Sequence, residues 1–366
     1  MTTCRIPFMQ LRPDEDRPAL DAAIARVIDR GWYVLGPEVE AFEQAFASAA
    51  GASHAVGVGT GTDAIALVLR ALGIGRGDEV ITSPLSAAYT ALAVMMVGAR
   101  PVFADLDPRR LTLDPAAVEA AIGPDTAAIL PVHLYGQPAA MPDLAAIAAR
   151  HGVALIEDCC QAHLATASGR PVGSFGVAGA YSFYPTKNLG ALGDGGAITT
   201  SDAGLADRTR RLRNGGQSDR YHHAEPGVNS RLDELQAAIL GARLPRLQAW
   251  TARRRELAVL YRRELAGLSG LVEVPPECDG GHVYHLFTVR STRRDALKAH
   301  LAAAGIETLI HYPVPIPRQP ALASESPAPC PVADRVCAEI LSLPFYPAMP
   351  DAHVAVVAER IREFGG

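Results

Sequence analysis

The chain has 366 residues, 34 of them basic and 39 acidic, and a net charge of −5 with histidine neutral. This balance gives no reason to expect nucleic acid or an anionic membrane as a partner, and the arginine-rich runs at 208–213 and 253–255 have the apolar spacing of solvated helix faces. With 49% apolar residues, no signal-like segment and no apolar stretch long enough to span a bilayer, the expectation is a cytoplasmic protein with a large core.

In chain order, residues 1–35 read as an N-terminal arm. Strand and helix signals then alternate. Ala55–Val58 is a strand and Thr62–Leu72 a helix; Glu79–Thr82 is a strand, followed by a helix through Ala91–Val97. Pro101–Ala104 and Ala127–Val132 are strands, Leu144–Arg150 ends a helix, and Val153–Glu157 is a buried strand. Ala180–Phe183 and Gly196–Thr200 are two more strands. Such alternation predicts an α/β fold with a largely parallel sheet covered on both faces, in which ligands bind beyond the carboxyl ends of the strands. From Arg231 to Arg263 the pattern is helical, with Pro245 expected to bend it. His282–Arg290 then reads as a strand, Arg294–Ala304 as a helix and Ile306–Ile310 as a strand. A Pro-rich loop spans Pro313–Pro331, and helices at Val332–Leu341 and Ala352–Phe364 close the chain. The division is a large domain at 36–245 and a smaller α+β domain at 246–366.

Four segments bear chemistry. An apolar strand delivers Asp158 to its carboxyl end, where a carboxylate can pair with a cationic ring nitrogen or equally cap the next helix. In Phe183-Tyr184-Pro185-Thr186-Lys187-Asn188 a β-rich run ends at a proline and presents one lysine ahead of a Gly-rich loop. There desolvation can depress an amine pKa, as a nucleophile needs, although a surface lysine is the commoner case. Gly57-Val58-Gly59-Thr60-Gly61-Thr62 follows a strand and opens a helix, an arrangement suited to a phosphate or simply a tight βα connection; it is neither a P-loop nor a G-x-G-x-x-G match. In Asn229-Ser230-Arg231-Leu232-Asp233, Asn229 or Ser230 could be a helix N-cap with Asp233 near the capping-box position. The six cysteines, Cys4, Cys159, Cys160, Cys278, Cys330 and Cys337, form no Cys-x-x-Cys pair, so no metal site is expected, and Cys159-Cys160 read as small core residues.

With these motifs in hand, the chain resembles the DegT/DnrJ/StrS family of sugar aminotransferases. The resemblance runs from Leu35-Gly36-Pro37-Glu38-Val39 to Leu343-Pro344-Phe345-Tyr346-Pro347. Between them lie His133-Leu134-Tyr135-Gly136-Gln137-Pro138, Ser182–Asn188, Asn229–Ala237 and Ile310-His311-Tyr312-Pro313. It implies fold type I, with a mostly parallel seven-stranded-type sheet, and pyridoxal 5'-phosphate as cofactor, held by Lys187 as a Schiff base. By resemblance Lys187 also shuttles the proton, Asp158 pairs with the pyridine nitrogen, Gln161 contacts the ring hydroxyl, and His163 lies beside the ring, unless it makes a helix-start hydrogen bond. Gly61, Thr62 and Ser182 hold the phosphate, joined by Asn229 of a second subunit in a homodimer with shared sites. Where relatives often place a stacking aromatic, this chain has Ala87; Tyr89 is the candidate to compensate, with core packing as its alternative.

Gly215–His223 and Leu189–Gly196 resemble the branch that aminates C3 of dTDP-3-keto-6-deoxyhexoses. That implies a sugar pocket of Tyr184, His311 and Tyr312, with Arg220 and Tyr221 reaching the nucleotide sugar from the partner subunit, and L-glutamate as amino donor. Tyr312 could instead be a loop aromatic packed on the small domain. Rival readings are a nucleotide-sugar 4-aminotransferase, an aminocyclitol aminotransferase and a non-enzymatic cofactor-binding regulator. A sugar dehydratase of the same family is disfavoured because that branch replaces the lysine with histidine.

Overall fold

A computed structural model of the chain describes residues 5–12, 15–322 and 329–365; Cys4, parts of the N-terminal arm and the middle of the Pro-rich loop lie outside the described residues. The first half contains α1 (Arg17–Arg30), α2 (Pro37–Ala49), β1 (His54–Val58), α3 (Gly61–Ala71), β2 (Glu79–Thr82), α4 (Tyr89–Met96), β3 (Arg100–Phe103), α5 (Pro115–Ala121), β4 (Thr126–Leu130), α6 (Met141–His151) and β5 (Ala154–Asp158). There follow β6 (Thr166–Ala167), β7 (Arg170–Pro171), β8 (Ala178–Ser182), β9 (Gly196–Thr200), α7 (Ala203–Leu212), β10 (Gln217–Asp219), β11 (His222–His223), α8 (Glu234–Arg243) and α9 (Leu247–Glu264). The last part holds β12 (Phe287–Arg290), α10 (Arg294–Ala303), α11 (Pro331–Glu339), β13 (Ile340–Leu343) and α12 (Asp351–Glu363).

Seven strands form one sheet in the order β1-β9-β8-β5-β4-β2-β3, parallel except for β9, which runs against both neighbours. Both faces are covered, so β8 and β9 are buried along nearly their whole length rather than at alternate residues. One face packs on α2, α6 and α8 through Phe42, Phe46, Leu144, Tyr181, Phe183 and Leu240. The other packs on α3, α4 and α7 through Val56, Ile65, Leu69, Val94, Ile198 and Leu205. A second core surrounds the antiparallel β12–β13 pair, where Tyr261 stacks on Phe287 at 4.7 Å between ring centroids.

The expected elements sit close to the observed ones, with four corrections. The long helix starts at Glu234, not Arg231, and a 3-10 turn at Leu244–Arg246 breaks it where Pro245 lacks an amide hydrogen. The strand expected from His282 begins only at Phe287. Tyr284 has a positive φ of 47°, and the preceding residues bond a loop instead, Val283 N to Gly136 O at 3.0 Å. Ile306 and Leu309 make isolated bridges, to Ile6 and Ser342, rather than a strand. The helix expected to reach Leu341 ends at Glu339, because the fully buried Ile340–Leu343 run is strand β13; a short apolar run is ambiguous between the two states.

One buried carboxylate joins the ends of the large core. Glu234 accepts from Gly36 N (2.9 Å), Val39 N (2.8 Å) and Glu38 N (3.0 Å), so the first residue of α8 caps α2. It has no solvent exposure. Glu234→Ala leaves two buried amides and one half-buried amide without this acceptor and is expected to lower the unfolding free energy by about 3 kcal/mol or more, measured by urea denaturation. A change below about 1 kcal/mol would show that the cap carries little of the fold.

Candidate active site

The carboxyl edge of the sheet gathers the predicted residues. Asp158 ends β5 opposite Ala180 of β8, two residues before Ser182, and the chain then runs on through Tyr184 to Lys187. On β1 the same edge leads into Gly59–Gly61 and the start of α3. A Cβ on Gly61 would lie 2.7 Å from Cys160 Sγ and 2.8 Å from Ser182 Cβ, so the helix start is pressed against both segments. Gly61, Ser182 and the residue after next from Asp158 are thus neighbours.

Asp158 is nearly buried, and both oxygens are fixed: Cys160 N donates to Oδ1 at 3.0 Å and Thr90 Oγ1 to Oδ2 at 2.7 Å. It does not cap a helix, since Cys159–Ala165 is turn and irregular structure. Thr90 escaped the sequence reading; a lone threonine in the first turn of the largely apolar α4, next to the exposed Tyr89, was the available signal.

Lys187 is half-buried, and among the described residues its amine has no hydrogen-bond or ion-pair partner. Desolvation lowers its pKa, while Cys160 and Asp158 nearby oppose the shift. The chain has two lysines, and the other, Lys298, lies on α10. Burial, with Asp158 next, holds the Cys160 thiol well above its ordinary range, so Cys160 is no competing nucleophile.

His163 is fully buried, with Nε2 on Ser182 O at 2.9 Å and Nδ1 accepting from Leu189 N at 3.5 Å. This replaces the helix-start bond considered for it. Burial first, then Lys187, pushes its pKa down to about 3, so the ring is neutral. Gln161 accepts from Tyr135 N at 2.8 Å and donates to Tyr312 OH at 3.1 Å, which brings Tyr312 to the same edge. The Tyr312 hydroxyl is raised to about 12 by burial. His311 sits beside it with Nδ1 2.9 Å from Ser342 Oγ, its pKa lowered to about 4 by burial and then by Lys187.

The remaining candidates are exposed. Tyr184 is 52% and Tyr89 65% exposed, so Tyr89 is not a core residue. Arg220 and Tyr221 occupy the β10–β11 turn, with the guanidinium 5.1 Å from the Tyr221 ring; among the described residues no hydrogen bond or ion pair ties them to the Lys187 group. Asn229 is exposed, while Ser230 is buried and is not a helix cap. Its hydroxyl accepts from Gly59 N (3.0 Å) and donates to Asp63 Oδ2 (2.8 Å), tying this segment to the Gly-rich loop.

A buried His133–Glu157–Cys159 group has metal-like spacing but spends its ligand atoms internally. His133 Nδ1 accepts from Ala139 N at 3.0 Å, so Nε2 carries the proton toward Glu157 at 3.2 Å. Glu157 also accepts from the amides of Gly173, Phe175 and Gly176. It is a bracket holding the loop between β5 and β8.

The model of the DegT/DnrJ/EryC1/StrS aminotransferase family matches residues 14–362. The chain is 49% identical over 366 residues to dTDP-3-amino-3,4,6-trideoxy-alpha-D-glucose transaminase of Streptomyces venezuelae, covering 99% of this chain and 97% of the relative. The crystal structure of S. venezuelae DesV in complex with a ketimine intermediate matches with a TM-score of 0.95 at 49% identity, over 99% of each chain. That of NtdA from Bacillus subtilis with bound cofactor PMP matches with a TM-score of 0.91 at 30% identity, over 99% of this chain and 84% of that one.

Gly61→Ala is expected to push the start of α3 away from Ser182 and Cys160, because no Cβ fits there. Affinity for a phosphate-bearing ligand should fall about ten-fold or more, equivalent to about 1.4 kcal/mol, by fluorescence titration with pyridoxal phosphate. Unchanged affinity would remove this helix start from the binding site.

Proposed function

The chain belongs to the DegT/DnrJ/EryC1/StrS aminotransferase family, and from that premise we propose that it uses pyridoxal phosphate to move an amino group from L-glutamate to the 3-keto carbon of a dTDP-linked 6-deoxyhexose. The observation that carries this reading is the half-buried Lys187 amine, without a hydrogen-bond or ion-pair partner among the described residues, on the same sheet edge as the doubly fixed Asp158. The 3-amino dTDP-sugar product named for the S. venezuelae relative supports the choice of substrate.

The residues suit this cofactor. The helix start at Gly61 and Thr62, beside Ser182, offers backbone N–H groups to a phosphate, since the Thr60 hydroxyl is already spent on Asp63 N. Asp158 supplies a fixed negative charge for a protonated ring nitrogen. Bound there, the cofactor supplies a carbonyl that receives the amino group and a ring that accepts electrons. Lys187 would hold it covalently and, once freed by the amino donor, would take the proton from the donor's α-carbon and pass it to the carbon that had carried the cofactor's carbonyl. Burial, which lowers its pKa, raises the share of neutral amine for that task. Gln161 keeps the Tyr312 hydroxyl turned to the site, and neutral His163 and His311 line it without adding positive charge against Lys187.

The exposed candidates belong to a homodimer in this reading. Asn229 reaches the partner's phosphate, and Arg220 with Tyr221 reaches the partner's nucleotide sugar, where Arg220 meets the diphosphate. Exposed Trp32, Tyr33, Leu192 and Tyr221 are apolar surface that such an assembly would cover. Tyr184, His311 and Tyr312 line the sugar pocket, and Tyr89 covers the cofactor that Ala87 leaves bare. The large part at 36–245 carries the cofactor, the part at 246–366 closes over it, and the enzyme works in the cytoplasm.

The test is turnover by the purified holoenzyme. L-Glutamate should bleach the visible absorbance of the bound cofactor with one 2-oxoglutarate released per site, and a dTDP-3-keto-6-deoxyhexose should restore it while gaining an amino group by mass spectrometry. Lys187→Ala should lower the rate about a thousand-fold or more. Turnover of 4-keto sugar nucleotides or keto-cyclitols in place of the 3-keto sugar would move the assignment to those classes. A cofactor-loaded protein that never releases 2-oxoglutarate would end the aminotransferase reading.

A further inference from the structure

Asn188, the residue after Lys187, is 5% exposed and has both ends of its amide occupied. Nδ2 donates to Val283 O at 3.0 Å, which fixes the orientation, so Oδ1 faces His285 Nδ1 at 3.3 Å as acceptor. The 283–285 segment is itself braced. Arg254, 4% exposed, donates to Tyr284 O (3.3 Å) and His285 O (3.4 Å). Val283 N bonds Gly136 O, and a Cβ on Gly136 would fall 2.8 Å from His285 N, so the two loops lie flush. From there the chain enters β12 of the small sheet.

We propose that Asn188 and His285 are a positioning pair through which the segment leading into the small C-terminal sheet sets the place of the Lys187 amine. The proposal rests on the reading of Lys187 as the amine that holds the cofactor. His285 donates from Nδ1, and burial, followed by Lys187, Arg254, His311 and His163, keeps it neutral. The groups that bear electrostatically on the lysine are Asp158 and Cys160 at the end of β5, His163 beyond them, His285, and His311 of the small part. Freeing Asn188 lets the loop swing out, admits water to the amine and removes the desolvation that lowers its pKa.

Because the chain has two lysines, lysine chemistry reads this without cofactor. The experiment labels cofactor-free protein with trinitrobenzenesulfonate across a pH series and follows the Lys187 and Lys298 peptides by mass spectrometry, with Lys298 as internal reference. In the wild type Lys187 should titrate below the ordinary lysine range. Asn188→Ala and His285→Leu should raise the Lys187 midpoint by about one pH unit, or about ten-fold less neutral amine at a pH below the wild-type midpoint. His285→Asn keeps an N–H donor at the Nδ1 position and should restore the wild-type profile, which a merely structural loss would not. An unshifted Lys187 midpoint in any folded variant lacking the contact, or a His285→Asn profile like that of His285→Leu, overturns the proposal. Thermal melting identifies the folded variants; if Asn188→Ala does not fold, the two His285 variants decide. A labelling result as expected in a protein that never releases 2-oxoglutarate would leave this pair standing and remove the transaminase reading alone.

Discussion

The parallel pairing of β5 with β8 is the constraint on which the site depends. Its register sets Asp158 opposite Ala180, so an acid at the end of one strand and a lysine loop beyond the end of the next emerge side by side. Everything else refines that juxtaposition. Thr90 and the Cys160 amide fix the acid; the start of α3 packs against Ser182 and Cys160; the Glu157 bracket holds the connection between the strands. A slip of the pairing by one residue would turn every side chain of the strand to the other face and exchange its core contacts.

The environment of Lys187 is a balance of two effects. Desolvation favours the neutral amine, and the nearby carboxylate favours the charged one. Histidines at 163, 285 and 311 could tilt that balance if charged, yet burial keeps all three neutral. The site therefore combines polar contacts with few net charges, a setting in which a modest movement of the lysine loop changes the state of its amine.

Much of this was legible in the sequence because the large sheet obeys simple rules. Glu79–Thr82 and Gly196–Thr200 were read to the residue, since short β-rich runs between turn residues have few alternative states. Asp158 and Lys187 stand out as candidates by their positions at strand ends, and the β5–β8 pairing brings them to one sheet edge. Thr90 was not, because a single threonine in an apolar helix signals only after the neighbouring strand is known. The small part was read less well for the same reason. Residues 282–286 have a strand-like composition, yet contacts with Gly136, Asn188 and Arg254 impose a left-handed residue at Tyr284, and Ile340–Leu343 becomes a strand only because Phe287–Arg290 lies alongside it. Asn229 and the Arg220–Tyr221 pair remain exposed in one chain, where no local pattern says what they meet.

The Glu234 cap reaches further than the helix it starts. The same residue donates its own amide to Tyr33 O at 3.1 Å, and Val34 bridges Asp233, so the exposed Trp32–Val34 segment is stitched down on its inner side while its outer side stays open. A surface held this way has already given up much of its conformational freedom before anything touches it. In the homodimer proposed above, association there would lose less entropy than docking onto a loose loop of the same composition, and a buried acid in the core would then bear on how readily the partner docks.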